Sequence, residues 1–124
     1  MPIKLLIVDD SDLIRASLRA LLGSVAGIAA VCEATTLEEA LGSAQRDPPT
    51  LVILDLNLPD GLGTDIIQQL KQRSPTLWLA VLTIHADTNY RRRCLALGAD
   101  WFLTKPPKPI NCWKWFANSP HRTP

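Results

Sequence analysis

Five predominantly apolar stretches lie along the chain, separated by segments of mixed polarity. They cover residues 4–8, 28–32, 51–54, 77–83 and 101–103, of which the second and the last are the weakest. Stretches that are apolar at nearly every position, and not at alternate ones, are typical of strands that are buried on both faces. The pattern therefore predicts five strands of a sheet whose two faces are both covered.

Two of the intervening segments combine helix-capping residues with apolar residues at helical spacing. In the first, Ser11 or Asp12 can cap a helix that Gly23 ends. In the second, Thr36 and Glu39 have the spacing of a capping box, in which the hydroxyl and the carboxylate accept from backbone N–H groups of the first turn. A helix is therefore expected after each of the first two strands.

Further helices are expected later in the chain. Residues 64–73 bring their apolar side chains to one face, and Asp87 or Thr88 can begin a helix that ends at Gly98. Residues 110–118 leave space for only a short final helix. Strand and helix thus alternate, which predicts a parallel sheet with helices on both faces.

Composition and charge narrow the class of protein. The 124 residues, 47% hydrophobic and 20% charged, suit one domain with a real core. A net charge of +1 gives no overall field that attracts nucleic acid or an anionic membrane, and the arginines at 91–93 are interpreted as a solvated helix face. No signal peptide or membrane span is expected, and 3 widely spaced cysteines fit a reducing cytoplasm.

Polar residues follow the predicted strands at the carboxyl ends, where a doubly wound sheet binds its ligands. They are Asp9, Asp10, Asp55, Thr83 and Lys105. Neighbouring carboxylates repel one another and need a divalent cation or a lysine, and a set of oxygen ligands favours Mg²⁺. A cation, an ammonium group and a hydroxyl around one carboxylate are what phosphoryl transfer to that carboxylate requires. The sequence therefore predicts a magnesium-dependent phosphoryl-transfer site.

Four motifs make the chain resemble the receiver domain of two-component response regulators. They are Ile-Val-Asp-Asp at 7–10, Leu-Asp-Leu-Asn-Leu-Pro-Asp-Gly at 54–61, Leu-Thr at 82–83 and Gly-Ala-Asp-Trp-Phe-Leu-Thr-Lys-Pro at 98–106. The resemblance implies an α/β fold, flavodoxin-like and doubly wound, with a five-stranded parallel sheet in the order 2-1-3-4-5. It also implies a single receiver domain over residues 1–124, with its core at 3–106 and an atypical Trp-rich tail at 107–124 that holds the shortened final helix.

The resemblance assigns a role to each acidic residue of the predicted site. Asp55 is the expected phosphoacceptor and one ligand of the cofactor Mg²⁺. Asp10 is expected to bind the ion directly, Asp9 to support it, often through water, and Asn57 to supply a backbone carbonyl. These four residues are the expected metal site.

The same resemblance assigns the residues that would stabilise the phosphoryl group and transmit the signal. Lys105 and the Thr83 hydroxyl are expected to contact the phosphoryl oxygens. Thr83 and Phe102 are expected to form the switch, and because Phe102 has no hydroxyl it would act through burial. The peptide bond before Pro106 is expected to be cis.

Other positions depart from the family pattern. Ile84 follows Thr83 where the family commonly has a small residue, and His85, which comes next, is interpreted as a solvated loop residue. In the tail, Trp113 is expected to pack on the sheet and Trp115 to be more exposed. The alternative is that the tail aromatics stay exposed and form a partner or dimer surface.

The function that the resemblance implies is a cytoplasmic signalling switch, and not a turnover enzyme. Its phosphoryl group would come from a sensor histidine kinase, and a homodimer through the last helices is compatible with the family pattern. Direct nucleic-acid binding and membrane association are not expected. The alternative is an unphosphorylated pseudo-receiver that acts as a protein-interaction module.

Two further alternatives are disfavoured by particular positions. A phosphohydrolase with an aspartate nucleophile would place an acidic residue where Asn57 stands, two positions after Asp55. A flavin or dinucleotide module would need glycines and free amides after the first strand, where the chain instead has Asp9 and Asp10.

Overall fold

The computed structural model describes residues 3–84 and 88–104. Within these ranges the elements are β1 Ile3–Val8, α1 Asp12–Leu22, β2 Ile28–Ala34, α2 Leu37–Arg46, β3 Leu51–Leu54, β4 Asn57–Leu58, β5 Gly61–Leu62, α3 Thr64–Arg73, β6 Trp78–Thr83, α4 Thr88–Leu97 and β7 Trp101–Thr104. The predicted final helix and the tail after residue 104 lie outside the described residues, as does His85.

The main sheet has five parallel strands in the spatial order β2-β1-β3-β6-β7. With the small β4–β5 hairpin set aside, this is the order 2-1-3-4-5, which confirms the predicted flavodoxin-like, doubly wound α/β fold. In such a fold, the carboxyl ends of β1, β3 and β6 lie side by side at one edge. Asp9, Asp55 and Thr83 of the predicted site lie at that edge.

Side chains alternate between the two faces of the sheet and form two cores. The larger core joins Leu6, Leu54 and Val81 of the sheet to apolar side chains of α2, α3 and α4. The smaller core joins Ile7 and Leu82 to α1. Because successive residues of a strand point to opposite faces, continuous apolar stretches are what this two-sided burial requires.

Both predicted caps are present at the helix starts. Ser11 caps α1, since its hydroxyl accepts from the Ile14 N–H at 3.2 Å. The Thr36 hydroxyl accepts from the Glu39 N–H at 3.1 Å, as in a capping box, but the Glu39 carboxylate reaches back to the Thr35 N–H at 2.7 Å. The bonds that the Glu39 carboxylate accepts from the Thr35 N–H and the Thr35 hydroxyl lower the pKa of Glu39.

The hairpin of β4 and β5 was not expected from the sequence. It pairs Asn57 with Leu62 and Leu58 with Gly61 in antiparallel register, shortly after β3, which ends at Leu54. Within the described ranges, no helix has both the length and the apolar character needed to cross a bilayer.

Candidate functional site

Two aspartates extend neighbouring strands at the carboxyl edge of the sheet. Asp9 directly follows β1, and its N–H donates to the Ala34 carbonyl at 3.0 Å. Asp55 directly follows β3, and its N–H donates to the Val8 carbonyl at 2.8 Å. The parallel ladder thus continues for one residue past each strand, which holds both aspartates at the sheet edge.

The predicted acidic residues come together at this edge. Asp9, Asp10 and Asp55 each offer a carboxylate oxygen, and these oxygens lie within 4.8 Å of one another. Asp9 is only 2% exposed and Asp55 only 6%, whereas Asp10 is open to solvent. Carboxylates at such distances repel one another and favour a bound cation. The donors are all oxygens, so the site fits a hard divalent ion such as Mg²⁺.

Arg15 supports the loop that carries the acidic pair. Its guanidinium donates to the Asp9 carbonyl at 2.7 Å and pairs with Glu33 at 2.9 Å and with Asp12. Burial alone would lower the pKa of Arg15, but the bonds to Glu33 and Asp12 outweigh burial and raise it. Arg15 was not predicted from the sequence. Its only local trace is the Asp12–Arg15 spacing in the first turns of α1.

The β4–β5 hairpin shapes the chain beyond Asp55. The Asn57 N–H points to the Asp55 carboxylate at 3.4 Å, and the Gly63 N–H donates to the Leu56 carbonyl at 2.7 Å. A Cβ at Gly63 would lie 2.5 Å from the Asp55 carbonyl oxygen, closer than real Cβ atoms come. Only glycine therefore fits at Gly63. In the sequence, the Gly-Leu-Gly motif at 61–63 was the indication that two backbone segments approach closely here.

The predicted switch residues lie on β6 and β7. Thr83 is the last residue of β6, is fully buried and stands opposite Thr104 of β7. Phe102 stands opposite Val81 and is buried in the larger core. Since residues two apart share a face, Thr83 and Phe102 point to the same side of the sheet. Ile84, which follows Thr83, is 60% exposed.

The described residues thus place Asp9, Asp10, Asp55 and Thr83 at one edge of the sheet, with Asn57 in the adjoining hairpin. Lys105, Pro106, Trp113 and Trp115 lie outside the described residues.

Comparison with known proteins identifies the family. The family model described as "Response regulator receiver domain" matches residues 5–113. The transcriptional activator protein ExaE of Pseudomonas putida is 37% identical over 105 residues, which are 85% of this chain and 49% of that protein. The chain spans about half the length of such curated relatives.

Solved structures agree with this match. A CheY-like response regulator receiver domain protein from Methanospirillum hungatei JF-1 is 26% identical, with a TM-score of 0.79, over 94% of this chain and 92% of that one. A response regulator from Burkholderia pseudomallei, solved with a phosphorylated aspartic acid, a calcium ion and citrate, is 26% identical with a TM-score of 0.77. It matches over 89% of this chain and 65% of that one. The chain belongs to the response regulator receiver domain family.

Proposed function

We propose that the chain accepts a phosphoryl group on Asp55 from a sensor histidine kinase and signals by a change of shape. The observation that carries the proposal is the cluster of Asp9, Asp10 and Asp55 at the carboxyl edge of the sheet, with their carboxylate oxygens within 4.8 Å. An Asp55 carboxylate oxygen would attack the phosphorus of a phosphohistidine. As the new P–O bond forms, the P–N bond breaks and the imidazole leaves.

In our proposal, the reaction needs a bound metal ion, and that ion is Mg²⁺. Asp10 would bind it directly, Asp9 would support it, and Asp55 and the Asn57 carbonyl would complete the protein ligands. Bound there, the ion would neutralise charge on the transferred phosphoryl oxygens. The all-oxygen donor set supports this choice. So does the Burkholderia pseudomallei relative, whose structure has both a phosphorylated aspartic acid and a calcium ion.

Other residues would receive and transmit the phosphoryl group. Lys105 and the Thr83 hydroxyl would contact its oxygens, and Phe102 would report the movement of Thr83. Thr83 ends β6, the strand next to β3, and this position supports the proposed contact between its hydroxyl and the phosphoryl group. Because Thr83 and Phe102 face the same side of the sheet, a shift of one can displace the other.

We take the domain to occupy residues 1–124 and to act as a switch, with its chemistry limited to its own phosphorylation and dephosphorylation. The cytoplasm suits it, since thiols such as Cys32 and Cys94 stay reduced there. A homodimer through the last helices, and a cis bond before Pro106, remain predictions about residues outside those described.

The test is phosphorylation by acetyl phosphate with Mg²⁺. The wild-type chain should gain one phosphoryl group, and Asp55→Asn should gain none, because the amide cannot act as the nucleophile. Asp47→Asn is the matched control, since Asp47 is an exposed aspartate away from the site and should not affect labelling. Incorporation that survives Asp55→Asn would overturn the assignment. A folded wild-type chain that takes no phosphoryl group, from acetyl phosphate or from a panel of labelled histidine kinases, would favour the pseudo-receiver.

A further inference from the structure

Asp60 joins the β4–β5 hairpin to a helix that is distant in sequence. It lies in the turn between β4 and β5, and its two carboxylate oxygens accept from backbone N–H groups at the start of α2. The distances are 2.8 Å from the Leu37 nitrogen and 3.1 Å from the Glu38 nitrogen. The first N–H groups of a helix have no partner within the helix, and a carboxylate there is favoured by the helix dipole.

The start of α2 is already capped by its own residues. The Thr36 hydroxyl accepts from the Glu39 N–H, and the Glu39 carboxylate accepts from Thr35. Asp60 therefore adds bonds that the local caps do not make, and those bonds connect two separate segments of the chain. Its contribution is to fix the hairpin against α2 as well as to complete the end of a helix.

The hairpin that Asp60 fixes is the segment that carries Asn57. Asn57 pairs with Leu62 across the hairpin, and the Asp60 turn lies between them. Gly61 packs so closely on α2 that a Cβ there would lie 2.9 Å from Leu37 Cδ1. The hairpin is thus held at the turn by α2 and at its base by the bond from Gly63 to Leu56.

We infer that Asp60 is a positioning residue for the cation site: its two bonds to the start of α2 hold the hairpin so that the Asn57 carbonyl is placed beside Asp55. This inference rests on the proposed Mg²⁺ site. Asp60 does not itself contact the ion. Groups that orient metal ligands in this way commonly change metal affinity by one or two orders of magnitude when they are removed.

The experiment measures the binding of Mg²⁺ alone to the full chain by calorimetry, at a temperature where every variant is folded. Asp60→Ala should weaken Mg²⁺ binding about tenfold, at the low end of the range for such groups, because Asn57 provides only one of the ligands. Asp60→Asn, which keeps one acceptor oxygen, should weaken it less. Thr36→Ala is the matched control, since it removes a cap from the same helix end without touching the hairpin. It should leave the Mg²⁺ affinity unchanged.

Faster hydrogen exchange at the Asn57 amide in Asp60→Ala, but not in Thr36→Ala, should accompany the loss of affinity. If the wild-type chain binds Mg²⁺ and Asp60→Ala binds it equally well, the inference about Asp60 is wrong and the metal site stands. If Asp60→Ala and Thr36→Ala weaken Mg²⁺ binding equally, Asp60 acts only as a helix cap and the inference is wrong. A wild-type chain that binds no Mg²⁺ would overturn the metal site itself.

Discussion

The two ends of the sheet use aspartates in opposite ways. At the amino end, the Asp100 carboxylate pairs with Lys71 at 2.8 Å and accepts from the Leu79 N–H at 2.8 Å. At the carboxyl end, Asp9, Asp10 and Asp55 bring their carboxylate oxygens within 4.8 Å of one another. An acid beside a lysine and a backbone N–H stabilises the fold, whereas neighbouring carboxylates repel one another and favour a bound cation.

This difference supports, without reference to the family, the proposal that the acids at the carboxyl end are functional. The fold itself does not require three carboxylates to lie together at one end of its sheet. Proteins retain such locally unfavourable arrangements where binding or reaction requires them. The cluster therefore supports the proposed site at the carboxyl end, and changes at the two ends should have opposite effects on stability.

The largest effect on stability is expected at the amino end. Asp100→Ala should lower the free energy of unfolding by about 2 kcal/mol, because it leaves the Leu79 N–H without its acceptor and the half-buried Lys71 ammonium with only the Leu77 carbonyl. Urea unfolding with and without the substitution measures this loss. Asp47→Ala is the control, since its pair with Lys4 is exposed and should contribute less than about 1 kcal/mol. Equal losses from the two variants would show that Asp100 stabilises the fold no more than an exposed ion pair does.

A smaller effect of the opposite sign is expected at the carboxyl end. Without metal, Asp10→Asn should raise the free energy of unfolding by about 1 kcal/mol, because it removes one charge from a repulsive and partly exposed cluster. With Mg²⁺ added, the wild type should gain more stability than the variant, since the variant has lost a charged ligand. Thermal unfolding in chelator and in excess Mg²⁺ makes both comparisons. A variant less stable than the wild type in chelator would show that the cluster is not repulsive.

The smallest effect concerns pH and the hairpin that borders the site. The Leu37 N–H, and to a lesser degree the Glu38 N–H, lower the pKa of Asp60. A carboxyl group whose pKa is lower in the folded state stabilises the fold above its unfolded pKa, about 4, and loses this contribution as pH falls through the folded value. Between about pH 5 and pH 3, Asp60→Asn should therefore lose stability less steeply than the wild type. Urea unfolding at several pH values gives the two slopes, and parallel slopes would contradict the shift.

Much of the fold could be predicted because its determinants are local. The helix over Thr64–Arg73 has the predicted bounds, and Ser11 proved to be the cap where Ser11 and Asp12 were both open. The second strand was predicted to end at Cys32 but continues to Ala34. Its end is set by pairing with β1, where Val8 stands opposite Ala34. This register cannot be predicted from the local sequence of the strand.

The site was predictable to the extent that its residues follow strands. Asp9, Asp10 and Asp55 could be identified because the carboxyl ends of adjacent parallel strands meet at one edge. The bonds from Leu37 and Glu38 to Asp60 join residues more than 20 positions apart and depend on how the hairpin folds. No periodic pattern in the sequence predicts such contacts, so the role of Asp60 could be identified only from the structure.

The central claim is that phosphorylation occurs on Asp55, and mapping the modified residue tests it most directly. The chain is labelled with acetyl phosphate and Mg²⁺, the acyl phosphate is reduced with borohydride, and the peptides are sequenced by mass spectrometry. The reduced side chain should be found at position 55, and Asp9, Asp10 and Asp60 should be recovered unchanged. Reduction at any other aspartate, with Asp55 intact, would contradict this claim.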